Sequence, residues 1–358
     1  MKTFSQSMSD YEAWLSNELQ GELVKKDLKK KHEKMCKNAF AFLRATYWRW
    51  AEIIGTITEV EQMPLVLAIG DTHLENFGTW RDVEGRLVWG ANDFDDAAVM
   101  PYALDLVRLA ASAILAADGS VADGAIAEML YEGYREGLNN PAPVTLEKGK
   151  AWLREELLLS DEDRDDFWDE YENPEEEWRA ASARFVTALA ASLPQGSGDF
   201  KPWPISKGTG SLGRPRFFAY VENWQGGPVL REAKALVPSA WSLVHNPTDR
   251  TIRTGQIAAG RSRAPDPHYR AFDRILVRRL SPSSRKIETK EDAKTLLDGK
   301  MLKLMGREIA NCHSDDAATA AAISNDFARR RPNWLREAAQ AAAEATEREW
   351  NAYRTSAC

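Results

Sequence analysis

Cysteine and histidine are scarce in this sequence of 358 residues. Its three cysteines, Cys36, Cys312 and Cys358, are widely spaced and form no CxxC pair. This spacing argues against a disulfide framework or a zinc cluster and favours a reducing compartment. The chain has only 5 histidines, whereas two-metal hydrolases usually need several histidine ligands.

Long apolar runs are also missing. The longest, Leu109 to Ala117, is interrupted by Ser112 and is far too short to span a bilayer. The N-terminal residues lack the apolar segment of a signal peptide. A formal charge of −7 argues against nucleic acid or an anionic membrane as the main partner. We therefore expect a cytoplasmic protein that binds neither nucleic acid nor membrane.

The first half of the chain is predicted to be mainly helical around one short β unit. Residues from about 10 to 54 read as helix, and the lysine-rich KKDLKKKHEK within them reads as a solvated helix face. Residues 65–69 form an apolar run typical of a buried strand. GTWRDVEGRLVWGAND is typical of a hairpin with its turn near Glu84 and Gly85, and a helix follows Pro101.

The character of the chain changes after residue 193. An acidic stretch, SDEDRDDFWDEYENPEEEW, looks like an exposed insertion, and the Pro- and Gly-rich LPQGSGDFKPWPIS then suggests a domain boundary. RFFAYVE, PVLREAKAL and ILVRRLS are strand candidates, and helices return from about residue 290. The predicted order is mainly α, then a small β-rich unit, then α again.

Two acidic clusters flank the predicted hairpin. GDTHLEN follows the buried strand, and NDFDD follows the return strand and contains Asp93 and Asp95. Carboxylates brought close together repel one another unless a cation neutralises them. Mg²⁺ is a suitable cation because it prefers carboxylate and amide oxygens together with phosphate. The alternative is a pair of acidic turns that make caps and solvated salt bridges.

A glycine-rich segment lies far from these clusters. Residues 208–213 read GTGSLG, a complete GxGxxG with glycines at Gly208, Gly210 and Gly213 and a serine at Ser211. A Rossmann fingerprint needs a strand before it and a helix after it, and here a Pro-rich linker precedes and a strand candidate follows. A glycine-rich turn between two strands, as over the phosphates in kinases, fits better. Lys234 then lies in the next strand candidate, where a phosphate-anchoring lysine would be.

These motifs resemble those of aminoglycoside-phosphotransferase-like kinases. DTHLEN has the D-x-H-x-x-N spacing of their catalytic loop, and NDFDDA resembles their metal-binding segment. Asp105-Leu106, within LDL, resembles the D-L dipeptide that follows that segment in those enzymes. The whole chain resembles the bacterial family catalogued as domain of unknown function 2252. AFAFLRA, GDTHLENFG, GRLVWGANDFDDA, LDLVRLAAS, KGTGSLGRPRF and LREAKALVPSA carry this resemblance. That family is grouped with the protein-kinase-like fold, so the resemblance implies ATP and Mg²⁺.

The resemblance also implies roles for individual residues. Asp71 matches the catalytic base, and His73 is either catalytic or holds the loop. Asn76 and Asp93 match the metal ligands, with Asp95 as a further candidate, and Lys234 matches the phosphate anchor. The glycine-rich residues Gly208, Gly210, Ser211 and Gly213 would cover the nucleotide.

Two departures from the kinase pattern matter. The glycine-rich loop and lysine follow the catalytic loop instead of preceding it, and the helix MLKLMGREIANCH resembles the one that normally leads into that loop. We infer a circular permutation, which preserves contacts when the original ends lie close together. Moreover, no glutamate occurs between Lys234 and Glu288 to pair with the lysine. Asp249 or Gln256 is a possible substitute.

The predicted fold is therefore α+β, protein-kinase-like, two-lobed and circularly permuted, with extra helices. Its expected units are a helical extension (1–60), a catalytic helical domain (61–193), a β-rich nucleotide-binding domain (194–289) and returning helices (290–358). The expected activity is transfer of the γ-phosphate of ATP, with Mg²⁺, to a hydroxyl of an unidentified small-molecule or protein acceptor. The alternatives are a nucleotide-binding pseudokinase or interaction module, a nucleotidyltransferase and a metal-dependent phosphoesterase.

Overall fold

The computed structural model describes residues 2–59, 62–157, 159–314 and 316–358. The chain is a mixed α+β protein, as predicted. The predicted boundary between residues 60 and 61 lies outside the described residues. The helices are α1 (Phe4–Glu18), α2 (Lys25–Met35), α3 (Ala39–Ala45), α4 (Tyr47–Ile53), α5 (Ala103–Ala117), α6 (Asp123–Asn139), α7 (Ala151–Glu156), α8 (Asp161–Glu172), α9 (Ala183–Ser192), α10 (Ala240–His245), α11 (Thr254–Ala258), α12 (Thr289–Leu296), α13 (Gly299–His313), α14 (Ala317–Arg329) and α15 (Trp334–Ala357).

The strands of the described residues form three sheets. They are β1 (Leu65–Ala68), β2 (Phe77–Arg81), β3 (Leu87–Ala91), β4 (Ala98–Pro101), β5 (Val144–Thr145), β6 (Trp203–Pro204), β7 (Arg216–Trp224), β8 (Gly227–Ala235), β9 (Arg270–Phe272) and β10 (Ile275–Arg279). Strand β1 pairs with β4, and β2, β3 and β5 form a second sheet in that order. The third, called here the large sheet, has the order β6-β7-β8-β10-β9 and is antiparallel throughout.

Local sequence patterns predicted several of these elements. The apolar run at 65–69 forms β1, and the hairpin forms β2 and β3 around a turn at Gly85, whose φ is +75°. The predicted helix after Pro101 is α5, most of whose side chains are buried. The three strand candidates of the second half are β7, β8 and β10.

The acidic stretch around α8 is only partly the exposed insertion that was predicted. Most of its carboxylates face solvent, but Glu176 is partly buried and pairs with two lysines of α2. Tyr171 is buried and packs against Phe218 of β7 and Leu230 of β8. Two aromatic residues on one face, Phe167 and Tyr171, are in contact at a ring distance of 5.2 Å. This aromatic face attaches the helix to the large sheet because burying it removes apolar surface from water.

The cysteine spacing was misleading. Cys36 and Cys358 form a disulfide across 322 residues, and Cys312 is free and buried. The end of α15 lies beside the end of α2, so distance along the chain does not measure distance in space. The prediction of a reducing compartment loses the support that it took from this spacing, and a cytoplasmic location stays a prediction.

Helix α13 packs closely against α6 within the main core. Gly133 of α6 lies against the backbone of Lys303, where a Cβ atom would come within 1.9 Å of the carbonyl oxygen. This contact brings the end of α13 near β1, at the centre of the fold. Among the described residues, no helix is both long and apolar enough to cross a bilayer.

We expect Gly133→Ala to lower the free energy of unfolding by about 2–3 kcal/mol, because the added methyl group forces the two helices apart. Gly124→Ala on the same helix is the matched control, since its Cβ would meet only the Arg336 side chain at 3.7 Å. Urea denaturation measures both variants. Equal midpoints for the two variants would contradict this account of the packing.

Candidate functional site

The predicted catalytic loop is held by one buried carboxylate. Asp105 of α5 accepts the backbone N–H groups of Ile69 and Gly70 at 2.7 and 2.9 Å. It also accepts Nε2 of His313 at 3.0 Å, and the hydroxyl of Tyr134 lies 2.9 Å from Nδ1 of that histidine. Asp105 and His313 are almost completely buried. The loop that follows β1 is therefore fixed to α5 and to the end of α13.

Asp71 lies in this loop and is paired with a buried arginine. Arg108 donates to Asp71 Oδ1 from Nη2 at 2.5 Å and from Nε at 3.0 Å. A third bond from Arg108 reaches the carbonyl of Leu43 at 2.8 Å, and its guanidinium lies over the rings of Tyr47 and Trp50. Burial raises the pKa of Asp71 to about 6, although Arg108 opposes the increase. The carboxyl is thus held in place and is largely ionised at neutral pH.

His73 and Asn76 take different positions in the loop. Nδ1 of His73 accepts the backbone N–H of Glu75 at 3.1 Å, and burial lowers the pKa of His73 well below its ordinary value, helped by Arg44 and Arg108. The histidine is therefore neutral and supports the turn. Asn76 donates Nδ2 to the carbonyl of Asp71 at 2.8 Å, which leaves its Oδ1 buried and without a donor.

The second acidic cluster meets Lys234 of β8. Lys234 Nζ lies 2.7 Å from Asp95 Oδ2 and 3.5 Å from Asp93 Oδ1, although 141 residues separate Lys234 from Asp93. Lys234 is 2% exposed, while Asp93 is 39% exposed and faces a cavity. Burial acts to raise the pKa of Asp93, but Lys234, Lys286 and Arg278 outweigh it and hold that pKa far below its ordinary range. Burial also raises the pKa of Asp95, against the opposing charge of Lys234.

Neither suggested substitute for the missing glutamate contacts Lys234. Asp249 pairs with Arg253 at 2.9 Å, and Gln256 is exposed. The carboxylate partner is Asp95, which lies on the hairpin side of the cavity. The prediction that Asp249 or Gln256 replaces the missing glutamate was wrong, because it assumed that the partner of Lys234 follows the lysine closely in the chain.

The glycine-rich segment connects β6 to β7, as a turn between two antiparallel strands. Gly208 and Gly213 have φ of +79° and +99°. A Cβ on Gly210 would lie 3.2 Å from Asp71 Oδ2, so the loop approaches the catalytic loop closely. Ser211 accepts a bond from Arg216 at 2.9 Å. The structure therefore brings Gly208, Gly210 and Asp71 to one cavity.

Helix α2 holds this loop from outside. Lys31 Nζ donates to the carbonyl of Gly210 at 2.9 Å, Ser206 Oγ donates to Asp27 Oδ1 at 2.5 Å, and the Val24 N–H donates to Gly213 at 2.9 Å. Lys31 is 3% exposed, and burial lowers its pKa to about 8. The prediction of a solvated lysine face is therefore wrong for Lys31, which lies on the side of α2 that faces the loop.

Two neighbouring cavities lie at this site. One, of about 190 Å³, is lined by charged groups and includes every predicted site residue except Lys234 and Gly213. The other, of about 320 Å³, has a more apolar wall that includes Trp80, Phe94 and Tyr269. We call them the charged cavity and the aromatic cavity. Four residues line both cavities: Lys207, Arg278, Lys286 and Glu288.

Several site residues were missed from the sequence. Arg216 of β7 and Arg278 of β10 both pair with Glu232 of β8, at 2.9 and 2.7 Å, and Glu232 is 1% exposed. Charged residues inside otherwise apolar strands were the available signal. Arg108, buried in an apolar helix, gave the same kind of signal. Lys286 lies in a loop and gave none.

Two buried oxygen atoms at the charged cavity lack hydrogen-bond donors and are therefore available to a metal ion. Asn76 Oδ1 and Asp95 Oδ1 are buried and have no hydrogen-bond donor, and Asp93 faces the same cavity. One amide and two carboxylates fit Mg²⁺, which commonly keeps water and substrate phosphate as its other ligands. Among the described residues there is no group of three or more His, Cys, Asp or Glu side chains arranged to hold a metal.

Comparison with known families adds one finding. Residues 23–196 match the family described as "Uncharacterized protein conserved in bacteria (DUF2252)". This match supports assignment to that family. The matched DUF2252 segment contains α2, the catalytic loop, the acidic cluster and Asp105, but neither the glycine-rich loop nor Lys234. No curated protein and no solved structure matches the chain.

We expect Lys31→Met to loosen the glycine-rich loop, because it removes the bond to Gly210 and keeps a side chain of similar length. Loss of a charge-assisted hydrogen bond of about 1.5 kcal/mol corresponds to roughly tenfold faster hydrogen exchange at the backbone amides of residues 208–213. Lys29→Met on the exposed face of the same helix is the control. Unchanged exchange in both variants would show that α2 does not hold the loop.

Proposed function

We propose that this protein is an ATP- and Mg²⁺-dependent phosphotransferase with a protein-kinase-like, circularly permuted arrangement. The observation that carries the proposal is the meeting of Lys234 with Asp93 and Asp95 at a cavity that also holds Asp71 and the glycine-rich loop. Kinases bring together the same set: a glycine-rich cover, a lysine on a sheet strand, a metal-binding aspartate and a catalytic-loop aspartate with its asparagine.

Contacts of α13 support the permuted order. In the sequence this helix resembles the one that leads into the catalytic loop, yet it lies near the C-terminal end of the chain. Its last residue, His313, is joined through Asp105 to the backbone of Ile69 and Gly70. The end of the helix and the start of the loop are therefore neighbours, as a relocated chain break requires.

The two cavities suit the two parts of a nucleotide. The aromatic cavity has the size and mostly apolar lining that ligand sites for small organic groups have. The charged cavity offers cationic side chains to phosphates, among them Lys207, Arg278 and Lys286. Mg²⁺ held by Asn76, Asp93 and Asp95 would neutralise phosphate charge there.

Asp71 is the proposed base. A carboxyl with a pKa of about 6 is ionised at neutral pH and can take a proton from an acceptor hydroxyl. Arg108 holds the Asp71 carboxylate through Oδ1. Because phosphoryl transfer depends mainly on positioning and charge neutralisation, these few groups suffice.

The alternatives predict different outcomes. A pseudokinase or interaction module would bind nucleotide without turnover. A nucleotidyltransferase would release pyrophosphate instead of ADP, and a phosphoesterase would cleave a generic phosphoester without ATP. His73, which lines the charged cavity, already uses Nδ1 to accept the Glu75 N–H, which disfavours it as a metal ligand through that nitrogen.

Mg·ATP should raise the melting temperature by roughly 3–4 °C at a nucleotide concentration 100 times the Kd. Asp93→Ala should abolish this shift, because it removes a proposed metal ligand. Asp249→Ala, which changes a carboxylate paired with Arg253 outside both cavities, is the control and should retain it. Absence of a shift for the wild type at millimolar Mg·ATP would contradict nucleotide binding.

Asp71→Asn should bind Mg·ATP almost normally but release ADP at least roughly 100-fold more slowly, because general-base catalysis contributes at least that factor. ADP release is measured with purified protein, first with water as the acceptor and then with candidate hydroxyl compounds. Equal slow rates for the wild type and Asp71→Asn would favour the pseudokinase.

A further inference from the structure

We call the region where the two cavities share lining residues the passage. It contains positive charge that the chain itself does not neutralise fully. Of the four residues that line both cavities, three have ionic partners on the protein. Lys207 pairs with Glu170 at 2.5 Å, Arg278 with Glu232 at 2.7 Å and Glu288 with Lys290 at 3.0 Å. The fourth residue, Lys286, differs from them.

Lys286 forms no ion pair with any carboxylate of the described residues. Its one hydrogen bond is a long one, 3.4 Å from Nζ to the carbonyl of Glu75. The side chain is only partly exposed, and it lines both cavities. Withdrawing an ammonium from water is unfavourable unless a partner compensates for the lost hydration. An anion in the passage would provide that partner.

The backbone holds Lys286 in place. Its neighbour Arg285 exchanges two hydrogen bonds with Thr79 of β2: the Thr79 N–H donates to the Arg285 carbonyl at 2.8 Å, and the Arg285 N–H donates to Thr79 Oγ1 at 3.0 Å. Strand β2 begins immediately after Asn76 of the catalytic loop. The lysine is therefore attached to β2, the strand that follows the proposed metal ligand Asn76, and approaches the passage from the side of the hairpin.

We infer that Lys286 is a second phosphate-binding lysine, which contacts the phosphate chain of a nucleoside di- or triphosphate where it passes from the aromatic to the charged cavity. This inference rests on the proposed nucleotide site and adds a residue to it. Lys286 would then contact the phosphate chain from the hairpin side, while Lys234, which lines neither cavity, is held by Asp93 and Asp95. Arg278, already oriented by Glu232, lines both cavities and adds positive charge there.

Binding of Mg·ADP and of adenosine by Lys286→Met tests the inference. We expect the Kd for Mg·ADP to rise roughly 10- to 100-fold, because a charge-assisted contact to phosphate is lost. The Kd for adenosine should change less than about twofold, since adenosine has no phosphate. Lys286→Arg should retain part of the affinity for Mg·ADP. Isothermal titration calorimetry measures these dissociation constants for the wild type and both variants. Lys294→Met is the control, because Lys294 is an exposed lysine of α12 outside both cavities.

The melting temperature of Lys286→Met without nucleotide separates binding from folding. Burial disfavours the Lys286 ammonium and the charge of Asp93 favours it, so removing it should change this temperature little. Removing a structural lysine would lower the temperature. Equal affinity of the wild type and Lys286→Met for Mg·ADP overturns the inference and leaves the proposed function standing. Equal weakening toward Mg·ADP and adenosine also overturns it. Failure of the wild type to bind either compound overturns both proposals.

Discussion

The ion pair of Lys234 with Asp95 and Asp93 is the interaction on which the site depends. A lysine that is 2% exposed needs carboxylate partners, and β8 supplies none to it from the large sheet. The acidic cluster after β3 provides them. The pair therefore joins the large sheet to the hairpin of β2 and β3 and helps to set the position of one relative to the other. The charge of Lys234 favours the ionised form of both carboxylates, although burial still raises the pKa of Asp95.

The hydrogen bonds to the buried carboxylate of Asp105 are a second constraint. Asp105 receives two backbone N–H groups from the catalytic loop and one ring nitrogen from α13, all in a region without solvent. Such a carboxylate fixes the positions of the groups that donate to it, because a buried donor without an acceptor would lose its hydration without compensation. Arg108, one turn further along α5, then holds Asp71. One helix thus positions both the backbone of the loop and the carboxyl group of Asp71.

Prediction from sequence succeeded where structure is local. Strand β1, the hairpin of β2 and β3, and helix α5 follow from apolar periodicity and turn residues, which act over a few positions. Prediction failed where the environment of a residue is formed by segments that are far away in the sequence. Lys31 reads as one of several solvated lysines until α2 is placed on the glycine-rich loop, and the Cys36–Cys358 disulfide depends on where α15 ends. The same reason applies to two further sets of ion pairs that the sequence did not predict. Lys234 pairs with Asp95, and Arg216 and Arg278 pair with Glu232.

The sequence alone determined the α+β character, the order of the elements and the residue types available for chemistry, because these depend on short patterns of polarity and on turn-forming residues. Only the tertiary structure decided which of the charged groups meet. Lys234 and Asp93 are 141 residues apart in the chain and 3.5 Å apart in space. No local pattern encodes that proximity, because it results from the packing of the large sheet against the hairpin. The position of Lys286 between the two cavities was decided in the same way.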